Sequence, residues 1–178
     1  MSNANIDIAG NGSDKVKAVL KDVPKLFLNG RPNIFAASII KKLVLAQVSI
    51  KSNVIEPQRK EGLVVYNVTV EEDMVNGGGT LHGGCSAFLI DLRVRPGVSM
   101  HSMGRSNPTN DHLPSVSQSM SIVYHAPAAV GETLRIVNTT MAVGRRVASA
   151  RTEIWSETHH RLVASGVHIK MEPSSTKL

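Results

Sequence analysis

Aromatic residues are scarce in this chain: three Phe, two Tyr and one Trp among 178 residues. Surfaces that stack nucleic-acid bases need rows of such rings, so no nucleic-acid partner is expected. One cysteine, Cys85, excludes an intrachain disulfide framework and fits a reducing compartment. No apolar run reaches the length of a membrane span, because Lys41, Lys42 and Lys51 interrupt the best stretch. The seven His show no His-Glu-x-x-His spacing, and His159-His160 reads as an exposed turn, so no metal is expected. Gly77-Gly78-Gly79 is not followed by the Lys-Ser/Thr of a phosphate loop. Gly84-Cys85-Ser86-Ala87-Phe88 lacks the second glycine of a serine nucleophile elbow. The start, Met1 to Asp14, is polar with two acids and no Arg, unlike a secretory signal or a mitochondrial presequence. A cytoplasmic location is the expectation, with a mitochondrial one as the alternative.

What is present fits one domain with an aliphatic core, at 42% hydrophobic residues. The net charge of +6 sits in the first sixty residues, which hold ten Lys/Arg against four Asp/Glu, while the remainder balances. Such a leader reads first as a solvated basic helix. Residues 1–13 are small and polar and are expected to be a disordered leader. Residues 14–44 form a helical N-terminal extension in this reading. Lys15 to Phe27 is an amphipathic helix with Val16, Leu20 and Val23 on one side and Pro24 awkwardly inside it, and Ile34 to Leu45 is a second helix. Extended segments follow at Val48 to Ser52 and Val64 to Val70, where apolar and polar residues alternate. Further strands are expected at Ser115 to His125, Thr133 to Val143, Val147 to Ser156 and Leu162 to Met171, the last three as a meander. Residues 174–178 are a tail.

Between the two groups of strands lies the most informative stretch, Asn76-Gly77-Gly78-Gly79-Thr80-Leu81-His82-Gly83-Gly84. It runs into Cys85-Ser86-Ala87-Phe88-Leu89-Ile90-Asp91-Leu92, apolar apart from Ser86 and one carboxylate. Ala, Phe, Leu and Ile without Pro read as a buried helix. A buried acid is costly, so Asp91 calls for a chemical role. Strands, one apolar helix, then strands give an α+β class, an antiparallel sheet wrapped around a long central helix.

The pattern Asn-x5-His-Gly-Gly-x6-Asp, followed by a strand reading Ser-Ile-Val-Tyr-His-Ala-Pro-Ala, resembles the hotdog-fold acyl-CoA thioesterases, of the phenylacetyl-CoA thioesterase and thioesterase superfamily member type. Gly131-Glu132-Thr133-Leu134 and Ala164-Ser165-Gly166 extend the likeness across a domain set at residues 45–173. The resemblance implies hydrolysis of acyl-CoA without metal, a place in lipid metabolism, and homodimers or homotetramers with shared active sites. It implies that the Gly83 N–H binds the thioester carbonyl oxygen and that Asp91 is general base or nucleophile. Ser117 would position the water, and Asn76 and His82 would orient the thioester. Gly84, Arg145 and Arg146 join the substrate-binding set, the two arginines toward the nucleotide phosphates of CoA.

Physical chemistry supports these roles. A helix N-terminus offers free N–H groups and a positive dipole to a developing oxyanion. A carboxylate in an apolar cleft becomes a better base. Gly83 and Asp91 stand eight helical residues, about 12 Å, apart. One carbonyl therefore cannot reach both on one helix, and two antiparallel helices related by a two-fold axis are needed. Pro96-Gly97 should end or kink the helix, residues 105–114 read as a polar loop, and Arg93 and Arg95 flank the acid. Two other readings stay open on the same fold: a hydratase or dehydratase, and a non-catalytic acyl-CoA-binding protein.

Overall fold

The computed structural model describes residues 7–28, 30–92, 116–144 and 146–171. The N-terminal extension starts with two helices rather than one: α1 (Asp14–Lys21) and α2 (Val23–Leu28). Between them the Asp22 carboxylate accepts the Lys25 N–H at 3.1 Å and caps α2. Pro24 thus falls in the first turn, where a missing N–H costs nothing. Helix α3 (Ala37–Lys42) is shorter than the Ile34 to Leu45 segment expected, because the chain turns into β1 at Val44. Val16, Leu20 and Val23 are buried in the main core, and the Tyr66 hydroxyl donates to the Leu20 carbonyl at 3.2 Å. Burial pushes the Tyr66 phenol up from its ordinary value.

The expectation of a disordered leader over 1–13 needs correcting from residue 7 onward. Ala9 exchanges backbone hydrogen bonds with the Ala46–Val48 stretch of β1, and Asn11 bonds both backbone groups of Ile50. Unpaired edge donors and acceptors on β1 recruit this segment.

Among the described residues, six antiparallel strands form one sheet in the order β1-β2-β4-β5-β6-β3. They are β1 (Val44–Ser52), β2 (Lys60–Thr69), β3 (Val116–Tyr124), β4 (Thr133–Val143), β5 (Val147–Ser156) and β6 (Arg161–Met171). Two of them, β4 and β5, have the bounds that alternation predicts, and β3 crosses to the far edge beside β6. A short 3-10 turn (Glu72–Met74) and helix α4 (Gly83–Asp91) intervene between β2 and β3.

Helix α4 packs on β6, β3 and β5 through Leu89 and Ile90, 1% and 0% exposed. Burying each such side chain stabilises the fold by about 1.5–3 kcal/mol. Gly166 of β6 permits the approach, since a Cβ there would lie 3.1 Å from Ile90 Cγ2 and 2.8 Å from the Ser121 carbonyl oxygen. The architecture is the hotdog fold, with its N-terminal helical part. Its helix is nine residues over the described range rather than long. Pro96, Gly97, Arg93, Arg95 and the 105–114 segment lie outside the described residues.

Candidate active site

At the start of α4, His82 is the N-cap, and its Nδ1 accepts the Gly84 N–H at 2.8 Å. The His82 carbonyl accepts the Ser86 N–H, the first bond of the helix. Gly83 is thus the first helical residue, whose N–H has no partner within the helix and stands at the positive end of its dipole. The Tyr124 hydroxyl donates to the Gly83 carbonyl oxygen at 3.2 Å. A cleft of about 380 Å³ opens here, lined by Gly83, Ser86, Tyr124, His125, Pro127 and Val163 among others.

Hydrogen bonds fix this end from two sides. The Leu81 N–H donates to the Ala128 carbonyl at 2.7 Å and the His82 N–H to the Met74 carbonyl at 2.9 Å. Asn76 spends its side chain on its own turn, where Oδ1 accepts the Gly78 N–H at 2.9 Å and Gly79 takes φ 74°. Behind Ala128 sits Glu132, 5% exposed. Its carboxylate accepts the Ala129 N–H at 2.9 Å, the Ser156 hydroxyl at 2.6 Å and Arg161 Nη2 at 3.2 Å. The same Arg161 nitrogen donates to the Pro127 carbonyl at 2.8 Å. Desolvation pushes the Glu132 carboxyl up, yet the Ala129 N–H, the Ser156 hydroxyl and the Arg161 and His159 charges outweigh it and hold the group below the ordinary carboxylate value.

At the other end of α4, Asp91 Oδ1 accepts the Ser117 hydroxyl at 3.1 Å. Lys170 Nζ lies 3.2 Å from the same oxygen and also donates to the Asp91 carbonyl at 3.1 Å. His168 Nε2, on a ring with no exposed surface, is 3.4 Å from Oδ1. Ser117 and Lys170 meet at Asp91 because they are paired across β3 and β6. Among the described residues no apolar cleft surrounds Asp91: the side chain is 45% exposed, and Ser117, Lys170 and His168 are the groups that meet it. Four of the five residues of α4 that are not fully buried, Gly84, Ala87, Phe88 and Asp91, share an arc of about 100°. Cys85, Ser86, Leu89 and Ile90 are buried on the opposite arc.

The structure therefore joins Ser117 to Asp91 and His82 to the start of α4, and leaves Gly83 and Asp91 at opposite ends of one helix. The N–H of Gly84 is committed to His82. Arg146 is exposed in the β4–β5 turn, at the Asp91 end of the sheet because nearby Ala148 pairs with Lys170. Arg145 lies outside the described residues. A larger hollow of about 970 Å³, between the β1–β2 hairpin and the end of β4, contains none of the candidate catalytic residues.

Comparison with known proteins decides the family. A model described as thioesterase superfamily matches residues 78–163. Mouse (Mus musculus) acyl-coenzyme A thioesterase 13 is 34% identical over 107 residues, covering 60% of this chain and 71% of the relative. The chain belongs to the thioesterase superfamily. The human (Homo sapiens) acyl-coenzyme A thioesterase 13 is 32% identical over 109 residues, covering 61% of this chain and 72% of the relative. The crystal structure of zebra fish thioesterase superfamily member 2 superposes with a TM-score of 0.64 at 26% identity, covering 88% of this chain and 97% of that one.

In this thioesterase-superfamily chain, three residues near the candidate groups escaped sequence reasoning as site residues. Tyr124 reads as a strand-end packing residue, yet its hydroxyl reaches Gly83. His168 and Lys170 join Asp91 only through the β3–β6 register, a long-range pairing with no local signal. Cys85 is poorly suited to act as a nucleophile. Burial, with a smaller push from the Asp73 charge, raises its thiol to about 11, and His82 Nδ1 is occupied by the Gly84 N–H. Among the described residues no helix is long and apolar enough to cross a membrane.

Proposed function

We propose that this protein is an acyl-CoA thioesterase, cleaving its substrate with water to a free acid and CoA. One observation carries the reading: a single helix has an N–H without an intrahelical partner at Gly83 and a carboxylate held by Ser117 at Asp91. The relatives named acyl-coenzyme A thioesterase supply the substrate class. Gly83 of one subunit binds the thioester oxygen through its N–H, where negative charge grows in the transition state. Asp91 of a second subunit acts as base on water, or as nucleophile, from the opposite side. Ser117 orients Asp91 and the water. His82 and Asn76 act by shaping the start of α4, and Arg146, with Arg145, meets the phosphates of CoA. No cofactor enters the reaction, because CoA is part of the substrate. A reducing, cytoplasmic location belongs to the same proposal and fits the free cysteine.

Sharing of the site follows from distance. About 12 Å separates Gly83 from Asp91 along α4, so two antiparallel helices in a homodimer, or in a tetramer of dimers, complete each site. Support for a second copy comes from the half-exposed outward arc of an otherwise apolar α4, and from edge strand β3, whose residues are mostly exposed.

The test is complementation, read as free thiol released from a panel of CoA thioesters. Gly83→Pro and Asp91→Asn chains are co-expressed with different tags, and the mixed species is purified. One of its two sites combines an intact Gly83 with an intact Asp91, and the other carries both lesions. Recovery to about half the wild-type rate is expected. Verified heterodimers as inactive as either parent would refute the shared site. Wild-type protein that binds but never releases thiol would favour the hydratase or the non-catalytic binder instead.

A further inference from the structure

The loop before α3 does something unusual with a phenylalanine. Phe35 is 80% exposed, while Phe27 and Phe88, the other two, are partly buried against the core. Its ring meets Phe88 edge-on, with centroids 5.4 Å apart and planes at 84°. Positive φ angles bracket the loop, 75° at Gly30 and 55° at Ala36, and the Ala37 N–H closes a turn onto the Ile34 carbonyl at 3.2 Å. A left-handed alanine is disfavoured, so the surroundings hold this loop in place. Phe88 belongs to the outward arc of α4 and stands three residues before Asp91, within side-chain reach of it. An apolar surface thus runs from beside the carboxylate to an open aromatic ring.

We propose that Phe35 and Phe88 form the wall along which the acyl tail of the substrate packs, with Phe35 deciding chain-length preference. This rests on the thioesterase reading. The CoA moiety is polar and anionic, and the tail is the part of the molecule that gains from an apolar wall. It begins at the carbon that Asp91 addresses. The wall is open at Phe35, which suits a chain running past it better than a compact acyl group in a closed pocket. Each methylene withdrawn from water contributes a factor of about four, so losing contact with one or two of them costs on the order of tenfold.

The experiment compares wild type, Phe35→Ala and Phe35→Leu on acetyl-, octanoyl- and palmitoyl-CoA, with light scattering for subunit number. The binding of non-hydrolysable S-alkyl-CoA thioethers of matching lengths is measured by calorimetry. Phe35→Ala should lower kcat/KM for the long substrates about tenfold relative to acetyl-CoA and weaken the long thioethers in step, while Phe35→Leu keeps most of both. Equal losses on all three substrates, or none, would overturn the proposal. So would a change of subunit number with the chain-length profile intact, which assigns the ring to a second copy. Failure of wild type to hydrolyse any of the substrates would sink the thioesterase reading alone, because the thioether series still decides whether Phe35 senses the tail.

Discussion

The two ends of α4 are built on different plans. Around Gly83 the backbone is locked: His82 caps the helix, Leu81 and His82 bond to Ala128 and Met74, and the buried Glu132 holds the Pro127–Ala129 stretch from behind. Around Asp91 the carboxylate is half exposed and is held by side chains, Ser117, Lys170 and His168, from two neighbouring strands. An oxyanion site works through donors already in place, and its rigidity fits that task. A base or nucleophile has to meet a water or a carbonyl arriving from outside, so an end left open in the single chain fits the other task. The contrast matches a site assembled from the finished end of one helix and the open end of another.

Removing the charge at the open end is the strongest way to test that contrast. Asp91→Asn keeps the shape and can still accept from Ser117, yet deletes the proposed base. The rate of thiol release should fall by ~10²–10⁴ with the thermal midpoint close to that of wild type. Wild-type turnover in the folded variant would take Asp91 out of the mechanism.

At the locked end, proline gives a sharper probe than alanine. Proline is favoured at the first helical position and suits the extended φ −65°, ψ 134° of His82 before it. Gly83→Pro therefore removes the one N–H with little cost to the helix. A loss of ~10²–10³ in kcat is expected, the usual cost of deleting an oxyanion donor. Gly83→Ala keeps the N–H, and its methyl would meet the Tyr124 ring at 3.5 Å, an ordinary contact. It should lose less than about tenfold in rate. Equal losses in the two variants would mean that crowding of the cleft, and not the donor, sets the rate.

How much of this was legible beforehand depends on whether the signal is local. Alternation marked β4 and β5 to the residue, because each strand covers one face of the sheet. The Asn76 to Asp91 pattern marked the start of α4 at Gly83, while the helix was expected to run on toward Pro96. The break between α1 and α2 is written in Asp22 and Pro24, a cap followed by a residue suited to a first turn, but the apolar spacing of Val16, Leu20 and Val23 runs straight across it. The pairing of residues 9–12 with β1 has no period of its own to detect. Asp91 looked buried because its sequence neighbours are apolar, whereas burial on a helix follows the arc, and Asp91 shares its arc with half-open residues. Lys170 and His168 reach the acid through register between distant strands, which composition and spacing do not encode.

The smallest expected effect asks whether the locked end owes its rigidity to Glu132. Glutamine at this position keeps an acceptor for the Ala129 N–H and loses the charge that faces Arg161 and His159. A stability loss of about 1.5–3 kcal/mol near neutral pH is expected, the range for hydrogen bonds to a charged group. Its pH dependence has a definite sign. The folded carboxyl lies below its unfolded value, so its contribution is complete above the ordinary carboxylate range and disappears as pH falls through the folded value. The gap between wild type and Glu132→Gln in chemical denaturation should therefore be widest near neutrality and narrow in acid. A gap that stays constant with pH would mean that shape, and not charge, makes this residue matter. The rate should fall severalfold, far less than in Gly83→Pro, because Glu132 acts on the thioester only through Ala128, Leu81 and the cap. A loss as large as that of Gly83→Pro, with the fold intact, would erase the distinction between a donor and the scaffold that aims it.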